Sequence, residues 1–194
     1  MSNFLKFIKN NSASILALTV STLTLFIYVR QTNILAEQTR ASLWPYVKID
    51  YEASNAETFP HINTFYITVN NSGTGPAIVE RVVLKVNGIE IANWDDFFEK
   101  LSIPFDLVKY SNNSLWDRVI MPGETIKFID FSNDFELMNY LYPEHFDNLE
   151  IAICYKSVYE EYWTVIVKGF GGNEHVIERH KSKKCVLKAS TYFL

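Results

Sequence analysis

Ile15-Leu16-Ala17-Leu18-Thr19-Val20-Ser21-Thr22-Leu23-Thr24-Leu25-Phe26-Ile27-Tyr28-Val29 decides the architecture of this chain. It lies in a run of 20 residues, Asn10 to Val29, that carries no charge between Lys9 and Arg30. At about 1.5 Å per residue, about 20 helical residues cross a hydrocarbon layer of about 30 Å. Serine and threonine hydroxyls in such a helix return to carbonyls of the preceding turn. No polar face interrupts the run at helical spacing, so it does not read as a helix buried in a soluble core. Tyr28 beside Arg30 suits one membrane interface, and Lys6 and Lys9 suit the other. The expected anchor is Ile15, Leu16, Leu18, Val20, Leu23, Leu25, Phe26, Ile27, Tyr28 and Val29. A cleaved leader shares the basic start, but Arg30, Gln31 and Asn33 separate the apolar run from a candidate cleavage site at Ile34-Leu35-Ala36.

Within the span, Ala13, Ala17 and Ser21 recur every four residues, a small-residue stripe that lets two helices approach closely. Homo-oligomers through this face are a possibility the pattern opens. Outside it, Gln31 to Ser42 continues as a polar helical connector until Trp44-Pro45, where proline enforces extended chain. The expected division is a short polar tail at 1–11, a transmembrane helix at 12–30, a connector at 31–43 and a β domain at 44–194.

From Val47 the period changes to two. Val47, Ile49 and Tyr51 alternate with polar residues, as do Phe65, Ile67 and Val69; Val82, Leu84 and Val86 alternate with Val83 and Lys85. Asn87-Gly88 then signals a hairpin. Ile126 and Phe128 set one face of a further strand, with Lys127 and Ile129 on the other. Leu149, Ile151, Ile153 and Tyr155, then Trp163, Val165 and Val167, form a late pair, and residues 174–180 and 183–193 offer closing strands. Two helical insertions are expected. One is capped by Asn93 and buries Trp94, Phe97, Phe98 and Leu101; the other starts at Asn133 and carries Phe135, Met138 and Leu141. The fold class is mainly β, an immunoglobulin-like β-sandwich with two short helical insertions behind one transmembrane helix.

Charge divides unevenly. Residues 1–40 hold Lys6, Lys9, Arg30 and Arg40 against Glu37, a balance of +3, which leaves −7 on the rest of a chain whose net charge is −4. An acidic domain repels phosphate backbones, so no nucleic acid partner is expected. Lys6 and Lys9 precede the span while Arg30, Arg40 and Lys48 follow it, a one-charge excess that favours a C-terminal domain on the cytoplasmic side. Cys154 sits in an apolar strand and reads as a buried hydrophobe more readily than as half of a disulfide with Cys185.

The motifs that could carry chemistry fail their context tests. Asn71-Ser72-Gly73-Thr74-Gly75-Pro76-Ala77 lacks the third glycine and the following helix of a phosphate loop. Gly73, Gly75 and Pro76 instead read as a structural turn in which the glycines supply positive φ. His175, His180 and Cys185 stand five apart, which on a strand points successive members to opposite faces, among the bases Arg179 to Lys184. That basic stretch reads as a solvated strand edge. Residues 89–150 hold 13 acidic and 4 basic residues interleaved with aromatics, either a core within an acidic surface or a recognition surface for a basic or sugar-like partner. Asp95-Asp96 and Glu160-Glu161 read as caps and solvated charge. No catalytic residue, cofactor or metal ligand is assigned.

Trp44-Pro45-Tyr46 opening the first strand, Asn71-x-Gly73-x-Gly75-Pro76-Ala77 after the second, and Tyr155-Lys156-Ser157-Val158-Tyr159 with Trp163 in a late hairpin occur together here. In that order the chain resembles a broad group of uncharacterised, membrane-anchored bacterial proteins. The resemblance implies a single-pass protein of a bacterial cytoplasmic membrane with a β-sandwich, and it carries over no catalytic residue. The functional expectation is a tethered binding or scaffolding module for a protein partner. The alternatives are a ligand-sensing membrane effector that signals by helix association and a cell-envelope carbohydrate-active enzyme.

Overall fold

A computed structural model describes residues 11–55, 62–103, 109–131, 140–141, 144–170, 175–185 and 187. The chain divides into two units, Met1–Ser42 and Leu43–Leu194.

Among the described residues the first unit is one helix, α1 (Ser12–Ser42), 31 residues long with no buried side chain. It passes Arg30 without a break and continues as helix to Ser42. Thr19, Ser21, Thr22 and Thr24 each donate their hydroxyl to a carbonyl three or four residues earlier at 2.8 Å, which satisfies every hydroxyl named here without water.

The second unit is mainly β. Among the described residues its strands are β1 (Val47–Asn55), β2 (Ile62–Asn71), β3 (Ala77–Val86), β4 (Ile89–Ile91), β5 (Ser111–Asn112), β6 (Val119–Ile120), β7 (Thr125–Asp130), β8 (Leu149–Lys156), β9 (Tyr162–Lys168) and β10 (Val176–Ser182). They form two antiparallel sheets. One has the order β1-β2-β7-β5; the other runs β10-β9-β8-β3-β4, with β6 also paired to β3. One buried cluster draws on both: Val47, Ile49, Phe65, Ile67 and Val69 from the first, and Val79, Val82, Leu84, Ile151, Ile153, Val165 and Val167 from the second. The alternation is therefore a burial pattern, with one face of each sheet turned inward.

Of three register shifts among the described strands, one lies at the end of β1 between Ser54 and Asn55, and two displace core residues from strict alternation. The β3–β8 register shifts between Val79 and Arg81, so Val79 and Val82 both face the core with two outward residues between them. The β2–β7 register shifts between Ile67 and Thr68, so Phe128 has no Cα partner and Ile129 turns inward beside Ile126 and Phe128. Ile129 is thus a core residue, against the expectation that it faces away with Lys127; Asp130 points out and pairs with Lys127 at 2.9 Å. The Asn87-Gly88 hairpin forms as read, with φ of 51° and 76°.

The first insertion is α2 (Trp94–Lys100). The Asp96 amide donates to the Asn93 side chain at 2.8 Å, and Trp94, Phe97 and Phe98 are buried. The start of the second, at Asn133, lies outside the described residues, as do Phe135 and Met138; Leu141 is buried, and a short helix α3 (Glu144–Asp147) follows. Of the closing strands, only β10 is found among the described residues, at a sheet edge and exposed along most of its length.

Candidate functional site

The inward series of β2 does not stop at Val69. Phe65, Ile67, Val69 and Asn71 share one face, and Asn71 is fully buried at its end. A buried amide requires partners for two acceptor and two donor positions. Asn71 has all of them. Its Oδ1 accepts from the amides of Tyr46 and Gly73, both at 3.1 Å, and its Nδ2 donates to the carbonyls of Gly75 at 2.8 Å and Ile120 at 2.9 Å. Its own amide donates to the Glu124 carbonyl at 3.1 Å, and its carbonyl accepts from Gly123 at 2.8 Å. With its side chain and backbone together, Asn71 thereby joins residue 46, the loop 72–76, the end of β6 and the β6–β7 turn.

The loop grips the chain that enters the domain. Trp44 offers its carbonyl to the amides of Thr74 at 3.0 Å and Gly75 at 3.3 Å, and Ser72 donates to the Tyr46 carbonyl at 2.8 Å. Gly73 and Gly75 are absent from the residues with positive φ, so left-handed backbone is not what they supply. The reason is close approach. A Cβ on Gly73 meets the Trp44 oxygen and the Tyr46 nitrogen and lies 2.7 Å from the Pro45 carbonyl carbon; one on Gly75 overlaps the Leu43 carbonyl and lies 2.9 Å from Leu43 Cα. Only hydrogen fits. Pro76, which lacks a donor, leads directly into β3.

Around this clamp the electrostatics follow the hydrogen bonds. The Met121 amide and the Arg118 guanidinium hold the Glu124 carboxyl below its ordinary range, with Arg118 at 3.0 Å. The Val47 amide donates to the Tyr155 hydroxyl at 3.3 Å, and burial pushes that phenol up despite the bond. Arg179 on β10 stands over the Tyr46 ring at 4.5 Å, while Trp44 stays about half exposed.

The other candidates separate. Every anchor residue, and Ala13, Ala17 and Ser21, lies on α1 with its side chain exposed. Trp94, Phe97, Phe98, Phe128, Phe131 and Phe146 of the acidic aromatic segment are core, with Phe65 and Phe146 stacked at 4.0 Å. Asp96 accepts from the Ala92 amide and pairs with Lys100 at 2.7 Å, which lowers its pKa; Glu161 pairs with Lys181 at 3.0 Å. Both of these carboxylates have a structural partner. His175 packs against Tyr51 and Phe170, His180 lies beside Glu178, and His145 stacks on Tyr140. Among the described residues no group of three metal-ligating side chains converges.

Cys185 is not part of a ligand set: it is bonded to Cys154, with Cα atoms 5.9 Å apart. The reading of Cys154 as a free buried hydrophobe is corrected. Cys154 faces outward on β8, opposite the core-facing Ile153 and Tyr155, and the later chain returns to meet it.

A family model described as Domain of unknown function (DUF8453) matches residues 8–192. The chain belongs to this family. The DUF8453 match takes in α1 and the β domain together. No curated protein and no solved structure matches the chain.

Proposed function

We propose that this chain is a single-pass, membrane-tethered binding or scaffolding module with no catalysis of its own. The observation that carries the reading is α1: its apolar window has a mean hydropathy of 1.8, and none of it is buried within the protein. Apolar surface of that extent is stable against lipid or another apolar helix, not against water. A secretory leader is also apolar and N-terminal. The unbroken continuation of α1 to Ser42 and the inclusion of the helix in the DUF8453 match support a retained anchor, with residues 12–30 in the bilayer and 31–43 leading to the domain.

The short link supports a tethered domain. Only residues 43–46 lie between α1 and β1, and all four are hydrogen-bonded to or packed against the loop 72–76. A binding domain gains effective concentration from such confinement near membrane partners. The two antiparallel sheets with one shared core support an immunoglobulin-like sandwich with helical insertions. The bilayer and a protein are the partners of this reading, and a bacterial cytoplasmic membrane is its setting. With Lys48 counted, a one-charge excess after the span argues for a cytoplasmic domain; the cysteine pair argues otherwise.

In-membrane crosslinking of the full chain, followed by detergent extraction, tests the function. A protein recovered in fixed ratio with the wild type, and still recovered when α1 is replaced by an unrelated span, supports a binding domain. Recovery of the chain alone across crosslinker lengths contradicts it. The exposed stripe Ala13, Ala17 and Ser21 favours a second reading, a ligand-sensing effector that signals by helix association. That reading requires ligand-dependent stabilisation of residues 43–194 within the full chain.

A further inference from the structure

Among the described residues, part of the outer face of the larger sheet is buried where no second sheet covers it. Val83, Ala152, Cys154 and Thr164 lie outside the main core cluster, yet none exceeds 4% exposure. They are cross-strand neighbours on β3, β8 and β9: Val83 pairs with Ala152, and Cys154 with Thr164. The chain after β10 meets this face at two points. Cys185 is bonded to Cys154 of β8, and the Arg81 guanidinium on β3 donates to the Leu187 carbonyl at 2.5 Å. Arg81 is itself the register partner of Cys154. Because β9 separates β10 from β8, Cys185 and Leu187 can reach these points only if the chain turns back across the sheet. The Ser182 hydroxyl, bonded to the Lys184 carbonyl at 2.6 Å, marks that turn.

We infer that the Cys154–Cys185 disulfide is a structural staple made on the oxidising side of the membrane, so the β domain lies outside the cytosol and the residues before the span lie inside. Thiols in a reducing cytosol are kept reduced, whereas structural disulfides persist in secreted and envelope compartments. The charge pattern does not oppose this orientation. Lys48 belongs to folded β1, which leaves Arg30 and Arg40 against Lys6 and Lys9, and large domains cross largely regardless of such charges. The chemistry is a two-electron exchange with a disulfide-bearing oxidant. The half-buried Cys185 thiolate attacks the oxidant's disulfide and expels one of its thiolates. Cys154, fully buried, then attacks the Cys185 sulfur and expels the second. The two cysteines lose two protons and two electrons, and the oxidant leaves as a dithiol.

This inference rests on the membrane-spanning reading, and its test separates the two. Membranes holding the full chain are acid-quenched and denatured, and thiols are counted with a polymer-bearing maleimide before and after reduction. No tag before reduction and two after it are expected, and Cys185→Ser should take one tag without reduction. Protease added outside right-side-out vesicles should digest the domain. Two tags before reduction, or a protected domain, on a chain that still sediments with membranes overturn the orientation and leave the anchor standing. A chain that needs no detergent for release overturns both.

Discussion

Replacing Asn71 with alanine removes four side-chain hydrogen bonds, of 2.8 to 3.1 Å, at one fully buried position. Each such bond contributes about 1 kcal/mol net, and an orphaned buried group costs about 1–3 kcal/mol. The carbonyls of Gly75 and Ile120 are both in buried residues and lose their donor, while the Tyr46 and Gly73 amides sit closer to solvent and can recruit water. The expected loss is therefore about 3–4 kcal/mol, most of it from the two carbonyls. Denaturant unfolding of the detergent-solubilised full chain, followed by tryptophan fluorescence, measures it. Asn70→Ala is the control. That neighbour donates to the Glu124 carbonyl at 3.2 Å and the Thr125 hydroxyl at 2.7 Å from a partly exposed position, and should lose less than about 1 kcal/mol. Asn71→Asp keeps the acceptors but turns a carboxylate oxygen toward two carbonyls, so it should be no better than alanine at neutral pH. An Asn71→Ala loss within about 1 kcal/mol of wild type, or equal to that of Asn70→Ala, refutes the clamp.

Other expectations are independent of that one. Gly73→Ala and Gly75→Ala force backbone apart and should each cost about 2 kcal/mol or more; Gly88→Ala, with open space but φ of +76°, should cost about 1 kcal/mol, and equal midpoint shifts would contradict the close-approach argument. Burial and the nearby Asp95 carboxylate push the Tyr110 phenol up to about 12. Because this pKa is raised above that of the unfolded chain, the stability it carries is whole below pH 10 and drains as pH rises through 12. Tyr110→Phe should remove one late-ionising phenol from the ultraviolet titration and flatten that alkaline decline; an unchanged titration curve would contradict the burial of the ring. Ala17→Ile should abolish crosslinked oligomers formed through α1, and unchanged oligomers would remove the helix-association face.

What the sequence made legible was whatever rests on period and charge. The span needed only a long uncharged run, and the strands needed only alternation, so α1 and the inward series Phe65-Ile67-Val69 emerge where they were read. The bulges did not, because one extra residue shifts the phase without changing composition: Ile129 looks like an outward residue until Phe128 is skipped. The glycines of the 71–76 loop were recognised as necessary but for the wrong reason. Positive φ is a local property, whereas contact with residues 43–46 depends on a segment 25 or more positions away. Two signals were present and passed over. Asn71 continues the inward series by simple alternation, and a polar residue at a core position demands a full set of partners. Cys154 occupies an outward position in an apolar strand, which implies that something covers that face. What covers it is joined by a bond spanning 31 residues, beyond any local pattern.

Alkaline carbonate extraction of membranes, with the mass of the recovered chain measured, tests the central claim most directly. The account predicts that the recovered polypeptide still carries residues 12–30, stays in the pellet and is released by detergent alone. An intact chain in the aqueous fraction, or a species cut between Arg30 and Leu43, would contradict it.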